Sequence, residues 1–231
     1  MRPPHRPTFR AATAVALAAG LLALAACAAP GTPAGWASYT VAPGDHGATI
    51  GRTSGAPAPR SGWISPGPRR RAYQLTLNAT ARYVLTEPTQ PEDQFDWNKL
   101  PGFSDCGDFD LARNGAMFGW RWRVDTTPMR LELVPYANND GVHLYPEEAL
   151  VSLSAADLDA AQPLTYAVGI DGDVYRFSIR GTIRGRTVAA TATLPRACPE
   201  TAPTVGKWYA GLYFGGTSVA PSTVHAYVLE P

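Results

Sequence analysis

Past residue 30 this chain has no helical periodicity of useful length and no internal repeat. The signatures that carry a catalytic mechanism are missing as well. There is no G-x-S-x-G elbow, no H-E-x-x-H, no phosphate-cradling glycine loop, no dinucleotide fingerprint and no E-x-D-x-x-E pattern. No two carboxylates stand out as a glycosidase pair. Nothing therefore points to a hydrolase of the commonest types. Cysteine and histidine are scarce, at 3 and 4 among 231 residues. That leaves little material for a metal centre of nitrogen and sulfur ligands.

What is present begins at the N-terminus. Arg2, Arg6 and Arg10 precede a nearly unbroken apolar run from Ala11 to Ala26. This is the layout of a secretory signal peptide, and it is short for a membrane span of roughly 20 apolar residues. The run ends in Leu24-Ala25-Ala26-Cys27, which resembles the lipobox of bacterial lipoproteins. That resemblance implies cleavage after residue 26 and acylation of Cys27. An ordinary signal cleaved at a nearby A-x-A site is the alternative. No twin arginine precedes the run, so the general secretory route is expected. The implied location is the outer side of the bacterial plasma membrane or the outer membrane. Attachment would come from acyl chains, since several chains anchor stably where one is marginal.

Cleavage there removes three of the 20 basic residues and none of the 19 acidic ones, leaving a slightly acidic chain. It offers no electrostatic case for nucleic acid as a partner. Cys106 and Cys198 would then sit in an oxidising compartment, where a disulfide is the natural inference and two free thiols the alternative. Such a bridge closes a loop of roughly 90 residues, worth about 4–5 kcal/mol in the chain-entropy model. Residues 27–35 read as the acylated cysteine and a Pro/Gly/Ala tether. Residues 36–231 read as a single domain.

That domain consists of short alternating runs broken by Gly, Pro, Asn and Asp, the pattern of an antiparallel β-sandwich. Residues 51–68 read as a loop within it, and Ser154 as the N-cap of one helical turn. Two hairpins can be drawn with a register. Ile170 paired with Asp173 around Asp171-Gly172 sets Val168 opposite Tyr175, Tyr166 opposite Phe177 and Leu164 opposite Ile179. Val124 paired with Met129 sets Trp122 opposite Leu131 and Trp120 opposite Leu133. The tryptophans of Phe118-Gly119-Trp120-Arg121-Trp122 then face the core rather than forming a surface platform. Arg121 meets Glu132 on the other face.

Several groups could carry chemistry. Asp105, Asp108 and Asp110 place three carboxylates in six residues, enough oxygen for Ca²⁺ though not at EF-hand spacing. Otherwise no metal or cofactor is indicated. Asn138-Asn139-Asp140-Gly141 reads as a turn. If the last two strands share a sheet, their outer face carries Tyr209, Tyr213, His225 and Tyr227. Such a face suits sugar stacking, although a solvated strand face is the plainer reading.

Four stretches in order, Tyr39–His46, Asp96–Asp105, Phe118–Trp122 and Tyr213–Gly216 followed by Ala220-Pro221, resemble a group of uncharacterised secreted bacterial proteins and lipoproteins. The fold this resemblance implies is one antiparallel sandwich, similar to the concanavalin-like jelly rolls of lectins and polysaccharide lyases. It implies no catalytic residues. The R-T-E-L-R and Q-I-H signatures of alginate-lyase-type jelly rolls are missing. A site on such a fold would lie on the concave face of one sheet, with Asp96, Asn98 and Lys99 as rim residues.

Three functions fit these expectations. One is a non-catalytic, lipid-anchored module that binds carbohydrate through Arg121, Tyr213, His225 and Tyr227. The second is a polysaccharide lyase acting on uronate-containing glycans, with Arg121 neutralising the carboxylate and His225 or Tyr227 moving the proton. The third is an envelope scaffold that contacts another protein. For the anchor itself, Cys27→Ser is expected to move the exported protein from the membrane to the soluble fraction. Retention of this variant in the membrane would overturn the lipobox reading.

Overall fold

Alternation along each strand decides which side chains turn inward. The computed structural model describes residues 32–64, 70–198 and 206–230, so the signal peptide, Cys27 and the start of the tether lie outside the described residues. The strands are β1 (Ala37–Val41), β2 (Ala48–Arg52), β3 (Gly62–Ile64), β4 (Arg70–Leu77), β5 (Asn98–Lys99), β6 (Gly102–Ser104), β7 (Gly115–Arg123) and β8 (Arg130–Asn139). They continue with β9 (Val142–Leu144), β10 (Val151–Ser154), β11 (Leu164–Asp171), β12 (Val174–Ile183), β13 (Arg186–Pro195), β14 (Gly206–Tyr209) and β15 (Val224–Leu229). The segment expected to be a loop thus contributes the end of β2 and all of β3.

Sheet A runs β13-β12-β11-β4-β15-β1-β2. Sheet B runs β10-β8-β7-β6-β14-β3, with β5 also on β7 and β9 on β8. All described pairings are antiparallel. The inner faces meet in one apolar core, and the chain is an antiparallel β-sandwich. Phe118 of sheet B stands edge-on to Tyr166 and to Phe177 of sheet A, each with centroids 5.3 Å apart. One short helix, α1 (Ala155–Ala160), follows β10, with Ser154 and Asp157 forming a reciprocal cap.

The β7–β8 hairpin has the expected register, with Trp122 opposite Leu131, Trp120 opposite Leu133 and Arg121 opposite Glu132. Trp120 and Trp122 are buried in the core. The β11–β12 hairpin keeps the expected faces but not the expected pairs. Val168 lies opposite Phe177, Tyr166 opposite Ile179 and Ile170 opposite Tyr175. The turn falls on Gly172-Asp173, and only Gly172 has a positive φ, +60°. That is the type II′ pattern, which puts glycine first, rather than the type I′ turn expected from Asp-Gly. A two-residue change in pairing leaves the inward set intact. At Asp140-Gly141 both φ angles are positive, and the expected turn, here of type I′, joins β8 to β9.

Arg71 of β4 points between the sheets and is fully buried. Its Nη1 donates to the carbonyls of Gly102 at 2.7 Å and Tyr209 at 2.6 Å, both in sheet B. Its Nη2 donates to Glu230 Oε2 at 2.9 Å and to the Arg60 carbonyl. Cys106 and Cys198 form the expected disulfide.

Removing one partner of a buried ion pair leaves the other charge uncompensated. Arg71→Met and Glu230→Gln are each expected to cost about 3–5 kcal/mol in urea denaturation, with the double variant less damaged than the sum of the two. A loss below about 1 kcal/mol would show that the guanidinium does not hold the sheets together.

Candidate functional site

The outer face of sheet B is not solvated along its whole length. Alternation puts Met117, Gly119 and Arg121 of β7 outward, opposite Tyr136, Val134 and Glu132 of β8. Trp97, Met117, Val134 and Tyr136 form a second apolar cluster there, with Leu111 packed on it. Beside this cluster opens a cleft of about 510 Å³, lined in part by Lys99, Leu111, Tyr136, His143, Tyr209 and Tyr213.

Two of the lining rings, Tyr136 and Tyr213, each belong to a stacked pair. Tyr136 lies on Tyr145 with centroids 5.5 Å apart and planes 18° from parallel. Tyr213 lies on His46 with centroids 5.4 Å apart and planes 13° from parallel. Tyr145 and Tyr213 are exposed, at 47% and 46%. Both histidines are fixed through Nδ1, His46 on the Phe214 carbonyl at 2.8 Å and His143 on Asn138 Oδ1 at 2.6 Å.

The short strand β5 supplies the cleft's cation. Its two residues alternate, so Asn98 turns inward and Lys99 outward against Gly119. Asn98 is buried; its Nδ2 donates to the Tyr83 hydroxyl and its Oδ1 accepts from Gly215 N. The Lys99 backbone exchanges both hydrogen bonds with Tyr213, at 2.8 and 3.0 Å. Its Nζ stands 5.2 Å from the centre of the Tyr136 ring. Burial pushes the Lys99 ammonium below the usual lysine range, against the pull of Asp96. Burial likewise pushes the Asp96 carboxyl up, opposed by Lys99 and reinforced by Asp93 and Glu92. A Cβ on Gly215 would meet the Trp97 carbonyl oxygen at 2.1 Å and Lys99 Nζ at 3.1 Å, so glycine leaves the room the lysine needs.

The sequence-derived candidates thus divide. Lys99, Tyr213 and Tyr209 come together in the cleft, although the Tyr209 hydroxyl is committed to the Phe109 carbonyl. Lys99 belongs to the cleft lining rather than to a rim, and Asn98 braces the loop from within. Arg121 shares the outer face but not the cleft. Its guanidinium lies 3.9 Å from the centre of the Trp97 ring, bonds Glu132 through Nε and Nη2, and donates to the Phe95 carbonyl.

The expected shared face of Tyr209, Tyr213, His225 and Tyr227 does not exist. β14 belongs to sheet B and β15 to sheet A. Between them Gly211, at φ +122°, and Gly216, at φ +77°, break the alternation, while Tyr213 bridges to Gly47 and Lys99. His225 bonds Thr40 across sheet A at 2.9 Å, and Tyr227 is buried on that sheet's outer side. Arg121 and His225 therefore lie on opposite sheets, which ends the lyase arrangement built on that pair.

The three carboxylates of the acidic loop are engaged separately. Asp105 holds Arg196 and Tyr175, Asp108 accepts from Asn114, and Asp110 accepts from Ala112 N. Tyr136, Tyr145, His143 and His46 were not singled out by the sequence as binding residues. Extending the β7–β8 register by three pairs beyond Trp120–Leu133 would have put Tyr136 opposite Met117. Nothing in the sequence places His46 beside Tyr213.

No family model matches the chain, and no curated protein matches it. Among solved structures it is similar to the CBM2 module of Lactobacillus casei BL23 phage J-1 evolved Dit, at 9% identity and TM-score 0.35, over 84% of this chain and 69% of that one. It is similar to sheep galectin-11 in complex with glycerol, at 12% identity and TM-score 0.30, over 73% of this chain and 98% of that one. The alginate lyase from Klebsiella pneumoniae is similar at 10% identity and TM-score 0.31, over 77% of this chain and 59% of that one. At these TM-scores the likenesses carry no argument about what this chain binds.

Asp93, in the 3₁₀ turn Pro91–Phe95, ties this region to the segment that follows Gly216. Burial pushes its carboxyl up, but hydrogen bonds from Ser218, Thr217 and Gln90 outweigh that and hold its pKa at about 2 against an ordinary 3.8. A depressed pKa stabilises the fold above the ordinary value, and that contribution is lost as pH falls from about 4 to about 2. Asp93→Ala is expected to cost about 2 kcal/mol at neutral pH and to flatten this acid limb in denaturation measured across pH. An unchanged limb would assign the acid loss to other groups.

Proposed function

We propose that the protein is an exported, lipid-anchored jelly-roll module that binds carbohydrate in the cleft on the outer face of sheet B. Acylated Cys27 would hold it at the cell envelope. The observation that carries the reading is a 510 Å³ cleft lined by aromatic rings, among them Tyr213, which is exposed and backed by the stacked His46 ring. Sugars offer apolar C–H faces to such rings and hydroxyls to nearby polar groups, here His143, Asn138 and Lys99. A scaffold that contacts protein through a flat or loop-mediated surface does not call for a concave aromatic cleft, so the geometry favours the binding module. The function read is binding and not catalysis.

The test is a glycan array probed with the Cys27→Ser protein in its oxidised form, followed by titration of the hits. Tyr213→Ala is expected to weaken binding roughly tenfold, about 1.4 kcal/mol. His225→Ala, on the opposite sheet, is expected to leave affinity unchanged. A blank array from folded protein, or equal losses from His225→Ala and Tyr213→Ala, would overturn the cleft as the site.

A further inference from the structure

We propose that this cleft selects glycans carrying an anionic substituent, and that Lys99 is the residue that reads it. The inference rests on the carbohydrate-binding reading and adds the class of ligand to it.

The argument starts from what the ammonium lacks. Lysine has three N–H donors and no acceptor, and a cation held out of bulk water is costly unless it is paired. Among the described residues, Lys99 Nζ has no hydrogen-bond partner and no carboxylate within 4.0 Å, while the residue is only part-exposed and lines the cleft. Its contacts are the Tyr136 face and the space left by Gly215. The arginines of this outer face are in a different state. Arg121, Arg123 and Arg130 all hold Glu132, and Arg123 also holds Asp125. Lys207 stands over Tyr209, 4.9 Å from its ring centre, and is not part of the cleft lining.

The nearby acids do not answer Lys99. Asp96 acts on it only through its field, without an ion pair, and Asp110 of the cleft lining is turned into its own loop by Ala112 N. Lys99 therefore brings a charge without an ion pair to the lining of the space that a ligand would fill. A sugar lying on the exposed Tyr213 ring would bring its substituents toward Lys99, whose backbone pairs with Tyr213. A compact ammonium suits a single carboxylate or sulfate rather than a planar bidentate partner. Carboxylate and sulfate share this chemistry, and separate probes distinguish them.

The experiment uses the full exported chain with Cys27→Ser, titrated calorimetrically with oligogalacturonate, a sulfated galactan oligosaccharide and a neutral cello-oligosaccharide of matched length. The acidic probes are expected to bind at least roughly tenfold tighter than the neutral one, with affinity falling as salt rises. Lys99→Met is expected to erase that preference and its salt dependence. Lys99→Arg, which keeps the charge, is expected to retain most of both, and Tyr213→Ala to weaken all three probes together. If neutral and acidic probes bind equally, or Lys99→Met leaves the preference intact, the anionic selectivity is wrong while the binding site stands. If folded protein binds none of the probes and the array is blank, the binding reading fails with it.

Discussion

A guanidinium buried between two sheets constrains everything around it. Taking Arg71 out of water costs several kcal/mol, which only good acceptors offset. It finds them in the carbonyls of Gly102 and Tyr209 and in the carboxylate of Glu230, with the Tyr73 and Trp208 rings 5.7 and 5.9 Å away. Because Gly102 and Tyr209 belong to neighbouring strands of the opposite sheet, one side chain sets where β6 and β14 end relative to β4. The chain that leaves Tyr209 goes on to form the Tyr213 wall of the cleft. Stability and site geometry therefore share an origin.

The same economy holds on the cleft side. Ordered loops there are tied to the sheet by buried acids rather than by apolar packing alone. Glu132 gathers three arginines on the outer face, and burial, which would push its carboxyl up, is outweighed by the bonds from Arg121 and Arg130, which hold it below the usual range. Asp93 clamps Thr217 and Ser218. Asp105, beside the disulfide, takes Arg196 and Tyr175 and fixes the base of the loop that supplies Leu111. Asp93 and Asp105 link segments far apart in sequence, while Glu132 gathers its arginines from a single hairpin. Each acid is satisfied several times over, as a buried charge must be.

Local patterns were legible wherever one strand's alternation sufficed. Trp120 and Trp122 announce a core face because Leu131 and Leu133 answer them at matching spacing, and the hairpin register follows. In the second hairpin the faces were readable but the turn was not, since Asp171-Gly172 and Gly172-Asp173 both offer a glycine and differ by one position. Sheet membership was the harder matter. Trp208 to Phe214 and Val224 to Val228 both alternate well, yet nothing local says that the chain changes sheets between them. Tyr213 and His225 were placed side by side on that account. Asn98 and Lys99, adjacent in a polar stretch, looked equivalent until pairing with β7 sent them to opposite faces.

The most instructive difference is between two cations on one face. Arg121 stood out in the sequence, flanked by tryptophans and set opposite Glu132, and those very neighbours engage it. A guanidinium that bonds a carboxylate, donates to a backbone carbonyl and stacks on Trp97 has little left to offer a ligand. Lys99 stood out only as part of a polar stretch, yet among the described residues of the cleft lining its ammonium has no ion-pair or hydrogen-bond partner. A conspicuous charge in a sequence is often conspicuous because its structural partners are nearby. Binding capacity belongs to the group whose partners the fold has withheld, and that can be read only once burial and hydrogen bonding are known.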